Sequence, residues 1–175
     1  VTGQGGSLSS NTANNGGVSS TSLSSPTSFS GYSQYYVADT GNNRVLAYSA
    51  YSSSSTASTV YGQAGSLSSS TANNGGVSAS SLNAPAGVTS DYSNLYVADT
   101  GNNRVLKYSS TLTTASIVYG QNGSFSSSTA NNGGVSASSL NAPSAVFYDS
   151  TNSGLYIVDK ANNRVLYYSS SSTTA

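Results

Sequence analysis

Three aspartates stand at one fixed offset from three arginines: Asp39 and Arg44, Asp99 and Arg104, Asp159 and Arg164. Each pair brackets a TGNN or KANN segment, so each carboxylate can meet its guanidinium across a hairpin turn. Two chemistries suit such a set. Charges inside a packed sheet need partners, which makes the pairs structural ties between strands or neighbouring repeats. A ring of carboxylates could instead hold a ligand. The structural ion pair is the expectation for all six residues. Outside these pairs, only Asp91, Asp149, Lys107 and Lys160 carry charge. Asp91 and Asp149 fall in expected hairpin turns, where Asp favours the backbone geometry. Two lone carboxylates far apart in sequence make neither an acid/base pair nor a calcium cage. The chain contains no His, Cys, Met or Trp, which removes imidazole and thiol catalysis and Cys/His metal ligation. Gly-rich stretches such as Asn73-Asn74-Gly75-Gly76 lack the lysine and spacing of a phosphate loop. The expectation is no enzyme, no metal and no cofactor.

The elements that position these residues follow from composition and periodicity. The chain has 175 residues, long enough for a sizeable core, and only 6% of them are charged. Five acidic and five basic residues cancel, so there is no phosphate-binding surface and nucleic acid is not an expected partner. Ser and Thr make up roughly a third of the residues, well above ordinary usage. No apolar run is long enough for a membrane span. Hydroxyl richness, low charge and 14 Tyr place the chain among extracellular or cell-surface proteins. It begins at Val1 rather than Met, as a processed product or a piece of a longer chain would.

Self-similarity is the dominant signal. VTGQGGSL starts at Val1, VYGQAGSL at Val60 and VYGQNGSF at Val118; TANNGGVS recurs from Thr12, Thr71 and Thr129. A proline follows at Pro26, Pro85 and Pro143, and then VADTGNNRVLAY from Val37, VADTGNNRVLKY from Val97 and VDKANNRVLYY from Val158. Repeats 1–59, 60–117 and 118–175 form one continuous array. In the second repeat the pattern predicts four strands: Gly87–Ser90, Leu95–Asp99, Arg104–Tyr108 and Ser116–Gly120. Turns at Asp91–Asn94 and Thr100–Asn103 separate the first three strands, and no helix is expected. Residues 121–142 read as a long polar connection, with a disordered linker as the alternative.

YVADTGNNRVLKY resembles the core of the NHL repeat, and the VYGQ…TANNGGVSASSLNAP segment resembles the longer spacers of secreted bacterial NHL-repeat proteins. The resemblance covers all three repeats and implies β-propeller blades. The expected fold is therefore all-β: three four-stranded NHL-type blades in tandem, as an open array or half of a six-bladed ring. Family members serve as binding platforms, and a minority are enzymes. The metal-binding His residues of an enzymatic relative and the basic face of RNA-binding relatives have no counterpart in this sequence.

The phase of the repeat leaves the last blade without its fourth strand. Val1, Thr2, Gly3 and Gln4 align with that strand, so the expectation is completion by these residues of a neighbouring copy. The expected partner is the chain itself, as homopolymer or homodimer. Gln4, Gln63 and Gln121 are expected to bond buried backbone. Tyr48, Tyr61, Tyr108, Tyr119 and Tyr168 are expected to be half-buried with surface hydroxyls, sugar stacking being the alternative. Asn122-Gly123-Ser124 is the one N-x-S/T sequon. Covalent glycans are candidates at Asn122, at Ser68, Ser69, Ser70 and Thr71, and at Ser126, Ser127, Ser128 and Thr129; the Ser52–Ser55 and Ser169–Thr174 runs are similar. Together these point to a glycosylated structural protein of an extracellular filament or surface layer. A glycan- or protein-binding propeller module is the alternative.

Overall fold

The computed structural model describes residues 2–32, 34–49 and 56–175. Val1 of the expected assembly strand and the Ser52–Ser55 run lie outside the described residues. The fold is all-β, with three antiparallel sheets. The first holds β1 (Pro26–Gly31), β2 (Gln34–Asp39), β3 (Arg44–Ser49) and β4 (Thr59–Tyr61) in sequential order. The second holds β5 (Pro85–Ser90), β6 (Asn94–Asp99), β7 (Arg104–Ser109) and β8 (Ile117–Tyr119) in the same order. The third has only β9 (Pro143–Asp149), β10 (Gly154–Asp159) and β11 (Arg164–Ser169), so the outer edge of β11 has no partner strand among the described residues.

The repeated NNRVL segment dictates the central hairpin. After the aspartate the chain makes a single 3-10 turn, at Thr40–Asn42, Thr100–Asn102 and Lys160–Asn162. Asn43, Asn103 and Asn163 then adopt φ of 53°, 55° and 54°, a left-handed conformation that Asn tolerates. The turn expected at Thr100–Asn103 is thus a single turn of 3-10 helix closed by a left-handed Asn. It sets the register that pairs Asp39 with Arg44, Asp99 with Arg104 and Asp159 with Arg164 at the end of each ladder.

Both faces of the middle strands are apolar because each sheet is packed on the next. Tyr36, Ala38, Val45 and Tyr61 of the first sheet share a core with Val88, Val97, Leu106 and Tyr108 of the second. Tyr96, Ala98, Val105 and Tyr119 on the other side of the second sheet meet Leu155, Ile157 and Tyr168 of the third. The first strands of the sheets run side by side, β1 against β5 and β5 against β9. Hydroxyls stitch them: the Val88 N–H donates to Ser28 Oγ at 3.1 Å, and the Tyr148 N–H to Thr89 Oγ1 at 3.3 Å.

The polar connections adopt one conformation three times. The N–H groups of Asn14, Asn73 and Asn131 donate to the carbonyls of Leu23, Leu82 and Leu140 at 2.9–3.0 Å. Residues 121–142 are thus a folded loop held by its own turns. At its entry Gly120 has φ of +95°, and a Cβ there would stand 2.7 Å from the Leu140 side chain, so only glycine fits. Among the described residues no helix is long and apolar enough to cross a membrane.

The tyrosines correct an expectation. Tyr48, Tyr61, Tyr108, Tyr119 and Tyr168 are buried rather than half-buried: Tyr61 and Tyr108 meet between the first and second sheets, Tyr119 and Tyr168 between the second and third, and Tyr48 is covered by Tyr35 and Leu23 of its own repeat and by Leu67. Burial pushes the Tyr119 and Tyr168 hydroxyls up to about 12, and raises those of Tyr48, Tyr61, Tyr96 and Tyr108 as well. Below pH about 10 both folded and unfolded chains keep these phenols neutral. Between about 10 and 12 only the unfolded chain ionises them, so stability falls as pH rises. The expected outcome is cooperative alkaline unfolding above pH ~10, with tyrosinate absorbance and loss of circular dichroism rising together. Full tyrosinate absorbance from a chain that keeps its circular dichroism would contradict this core.

Candidate functional site: a repeated latch and two unlike ends

Each Asp–Arg pair is the centre of a polar cluster inside the apolar stack. The Nε groups of Arg44, Arg104 and Arg164 donate to Oδ2 of Asp39, Asp99 and Asp159, each at 2.7 Å. The other carboxylate oxygens accept the backbone N–H groups of Ser24, Asn83 and Asn141, also at 2.7 Å. Oδ2 takes a further bond from the Asn42, Asn102 and Asn162 amides at 2.8 Å. Each of those asparagines exchanges paired amide bonds with Asn14, Asn73 or Asn131 of the long loop, at 2.7–3.0 Å. Burial pushes the Asp99 carboxyl above the usual carboxylate range, against the opposing pull of Arg104 and these donors. Every neighbour offers a hydrogen to Asp99 and none accepts one, so the arrangement is built for a carboxylate. This cluster holds a loop to a hairpin, and its groups are fully engaged with one another.

The rest of the guanidinium reaches across the seam between sheets. Arg44 Nη2 bonds the Ser19 and Ser22 carbonyls of its own repeat at 2.9 Å, while Nη1 donates to the Leu67 carbonyl of the next repeat at 2.6 Å. Arg104 does the same with Ser78 and Ser81, and with Phe125 of the third repeat at 2.6 Å. Four more contacts repeat at each seam. Gln63 Nε2 donates to the Asn43 carbonyl and Gln121 Nε2 to that of Asn103, both at 2.8 Å. Asn43 Nδ2 donates to the Ser70 carbonyl at 3.0 Å and Asn103 Nδ2 to that of Ser128 at 2.9 Å. Asn43 Oδ1 and Asn103 Oδ1 accept the N–H groups of Ala84 and Ala142 at 2.8 Å. Thr40 and Thr100 hydroxyls donate to the Pro85 and Pro143 carbonyls at 2.6 and 2.7 Å.

At the third repeat this set stops halfway. Arg164 keeps Asp159 and the Ser136 and Ser139 carbonyls, but among the described residues its Nη1 has no acceptor, and the Asn163 side chain has no partner. The apolar face beside them is open as well: Val165 is 61% exposed, where Val45 and Val105 are 0% exposed. The first repeat is open on the opposite face. Leu8, the equivalent of Leu67 and Phe125, is 90% exposed, and Phe29 is 67% exposed. Beside Phe29 lies a shallow groove of about 350 Å³ lined by Leu23, Pro26 and Val37. The two ends are therefore unlike.

The assembly-strand residues that can be placed, Thr2, Gly3 and Gln4, lie at the first-repeat end. The Gly3 carbonyl accepts the Leu23 N–H at 3.1 Å, and Gln4 makes an isolated bridge to Ser22. Among the modification candidates, Asn122, Ser126, Thr129, Ser68 and Thr71 face outward. Ser69 and Ser127 are half-buried and accept the Asn74 and Asn132 amides at 3.4 Å, while Ser70 and Ser128 supply seam carbonyls. Asp91 and Asp149 cap their turns through the N–H groups of Asn94 and Asn152. Sequence reasoning missed Asn14, Asn73 and Asn131, and the seam role of Leu67 and Phe125. The joint recurrence of TANNGG with NNR was the signal that could have found the asparagines. A second surface feature is a groove of about 430 Å³ along β1, β5 and β9, lined by hydroxyls and by Phe29, Tyr32, Phe147 and Tyr148. Among the described residues no group of three or more His, Cys, Asp or Glu could hold a metal ion.

Removing a carboxylate leaves a buried guanidinium unpaired. Asp99→Ala is expected to lower the unfolding free energy by about 3–5 kcal/mol, and Asp159→Ala by clearly less, because Arg164 is 25% solvent-exposed. Denaturant titration of the two variants measures the difference. Equal losses would place the weight of the pair in the local hairpin and not in the seam.

No family model matches the chain, and no curated protein matches it. Among solved structures the chain is similar to an auxiliary nutrient binding protein from Bacteroides thetaiotaomicron, with a TM-score of 0.51 at 16% sequence identity. The match covers 80% of this chain and 37% of that one, so the chain spans little more than a third of that protein's length. The likeness is one of fold.

Proposed function

We propose that the chain is a structural repeat protein whose sheets are NHL-type β-propeller blades, working in an extracellular filament or surface layer. Its units assemble head to tail, the fourth strand missing beside β11 being supplied by Val1–Gln4 of a neighbouring copy, and its loops carry glycans at Asn122 and at the outward hydroxyls. No catalytic role is assigned, since the buried carboxylates are spent on arginine. The carrying observation is the unlike pair of open ends on an array of like sheets. A contact between two different surfaces repeats without limit unless its rotation closes a ring. A near-zero net charge also favours association over dispersal.

A second reading is a ligand-binding propeller module, with two chains closing a six-bladed ring around a glycan or protein. It draws on the aromatic and hydroxyl groove along β1, β5 and β9, and on a structural neighbour described as nutrient-binding.

Electron imaging of native material, with intact mass on the same sample, separates the two. Continuous fibres and a mass above 17.5 kDa per chain are expected. Discrete rings of two chains would replace the first reading with the second.

A further inference from the structure

We infer that the open face of the third repeat is a socket for the first repeat of a second copy of this chain, in a register fixed by the two internal seams. The inference rests on the head-to-tail reading above and gives it residue-level contacts. The internal seams serve as the template, since the same surfaces meet twice within the chain with bond lengths that agree to within about 0.1 Å. Translating that register by one repeat assigns each unpaired group at one end a partner at the other. Arg164 Nη1 meets the Leu8 carbonyl, as Arg44 meets Leu67 and Arg104 meets Phe125. Asn163 Oδ1 accepts the Ser25 N–H, in the place of Ala84 and Ala142. Asn163 Nδ2 donates to the Asn11 carbonyl, in the place of Ser70 and Ser128. Gln4 Nε2 donates to the Asn163 carbonyl, as Gln63 and Gln121 do within the chain.

The apolar surfaces agree with the polar ones. Val165, Tyr156 and Val158 present the face that Val45, Tyr36 and Ala38 use against the second repeat. Val37 and Leu23 present the face that Val97 and Leu82 use in return. The slot beside β11 is open too. The Ala175 N–H donates to the Ala137 carbonyl at 3.1 Å, as Ala57 does to Ser20 and Ala115 to Ala79. Ala175 therefore stands where Ala57 and Ala115 stand, two residues before β4 and β8, and the Val1–Gln4 strand of the second copy takes the place of those strands. One position departs from the template: Lys160 replaces Thr40 and Thr100, and its ammonium can donate to the Pro26 carbonyl as those hydroxyls do to Pro85 and Pro143.

The test uses the full chain and two charge substitutions at exposed positions, Leu8→Asp and Val165→Asp. Sedimentation velocity should show the unmodified chain associating as its concentration rises, and each variant alone as a monomer with unchanged circular dichroism. Mixed in equal amounts, the variants should give a stable pair of twice 17.5 kDa and nothing larger, since Leu8→Asp keeps its third-repeat socket and Val165→Asp keeps its first-repeat plug. Asn163→Gly keeps the left-handed turn, removes the side-chain amide and should weaken association on the order of tenfold. An unmodified chain that stays monomeric overturns the inference, as does a self-paired variant or a mixture that remains monomeric. Fibres that persist in both variants would overturn this register while leaving the filament reading intact. A mixed pair without fibres from the unmodified chain would uphold the register and remove the filament.

Discussion

A guanidinium placed inside a stack of apolar sheets must have every N–H directed at an acceptor, because desolvation otherwise outweighs what its ion pair returns. Arg44 and Arg104 meet that demand with one carboxylate, two carbonyls of the same repeat and one carbonyl of the next. The last of these makes the hairpin depend on its neighbour. A single repeat can form its strands, but it cannot complete its own arginine. The long loop is bound into the same demand, since it supplies the Ser19, Ser22, Ser78 and Ser81 carbonyls and the asparagine that pairs with the turn. Stability of such an array is a sum of local terms and nearest-neighbour terms, and here the neighbour term is visible as named bonds.

This dependence explains an unusual composition. The loops are rich in Ser, Thr, Asn and Gly because their task is to turn, to present carbonyls and to exchange amide bonds at close range. Hydroxyls also tie the inner strands, as Ser28 does for Val88 and Thr89 for Tyr148. Charge is needed once per repeat, at the latch. Lys107, one of the few other charged groups, lies 5.5 Å above the Tyr96 ring. The repeated faces inside the array carry little other charge, because they are buried against one another.

Much of this was legible in the sequence, for reasons that can be named. The apolar alternation and Gly/Asn turns place the four strands of the second repeat within one or two residues of their observed bounds. The five-residue offset of Asp and Arg is the length of one hairpin turn, so the pairs followed from spacing. Of the three glutamine amides expected on buried backbone, those of Gln63 and Gln121 are found on the Asn43 and Asn103 carbonyls, while that of Gln4 has no such partner among the described residues. What spacing could not convey was burial by a neighbouring sheet. Tyr61 and Tyr108 lie at or near the ends of their strands, which reads as an edge position, yet the two rings pack edge-on against each other between the first and second sheets, with centroids 5.1 Å apart. Likewise the asparagine exchange across 28–31 residues is a tertiary fact, visible in the sequence only as the joint recurrence of two distant segments.

The burial of the arginines has a consequence for durability. Proteases that cut after basic residues require several residues of flexible, accessible backbone around the cleaved bond. Arg44 and Arg104 begin central strands with their side chains wholly enclosed, and Lys107 lies within β7. The folded chain thus offers such enzymes little besides Lys160, on the 3-10 turn of the last sheet, and Arg164 beside it. Both belong to the open face of the third sheet, where the seam bonds that enclose the other arginines are not made. The folded chain would therefore resist such digestion through geometry alone, and a cut, where one comes, would fall first in the third sheet.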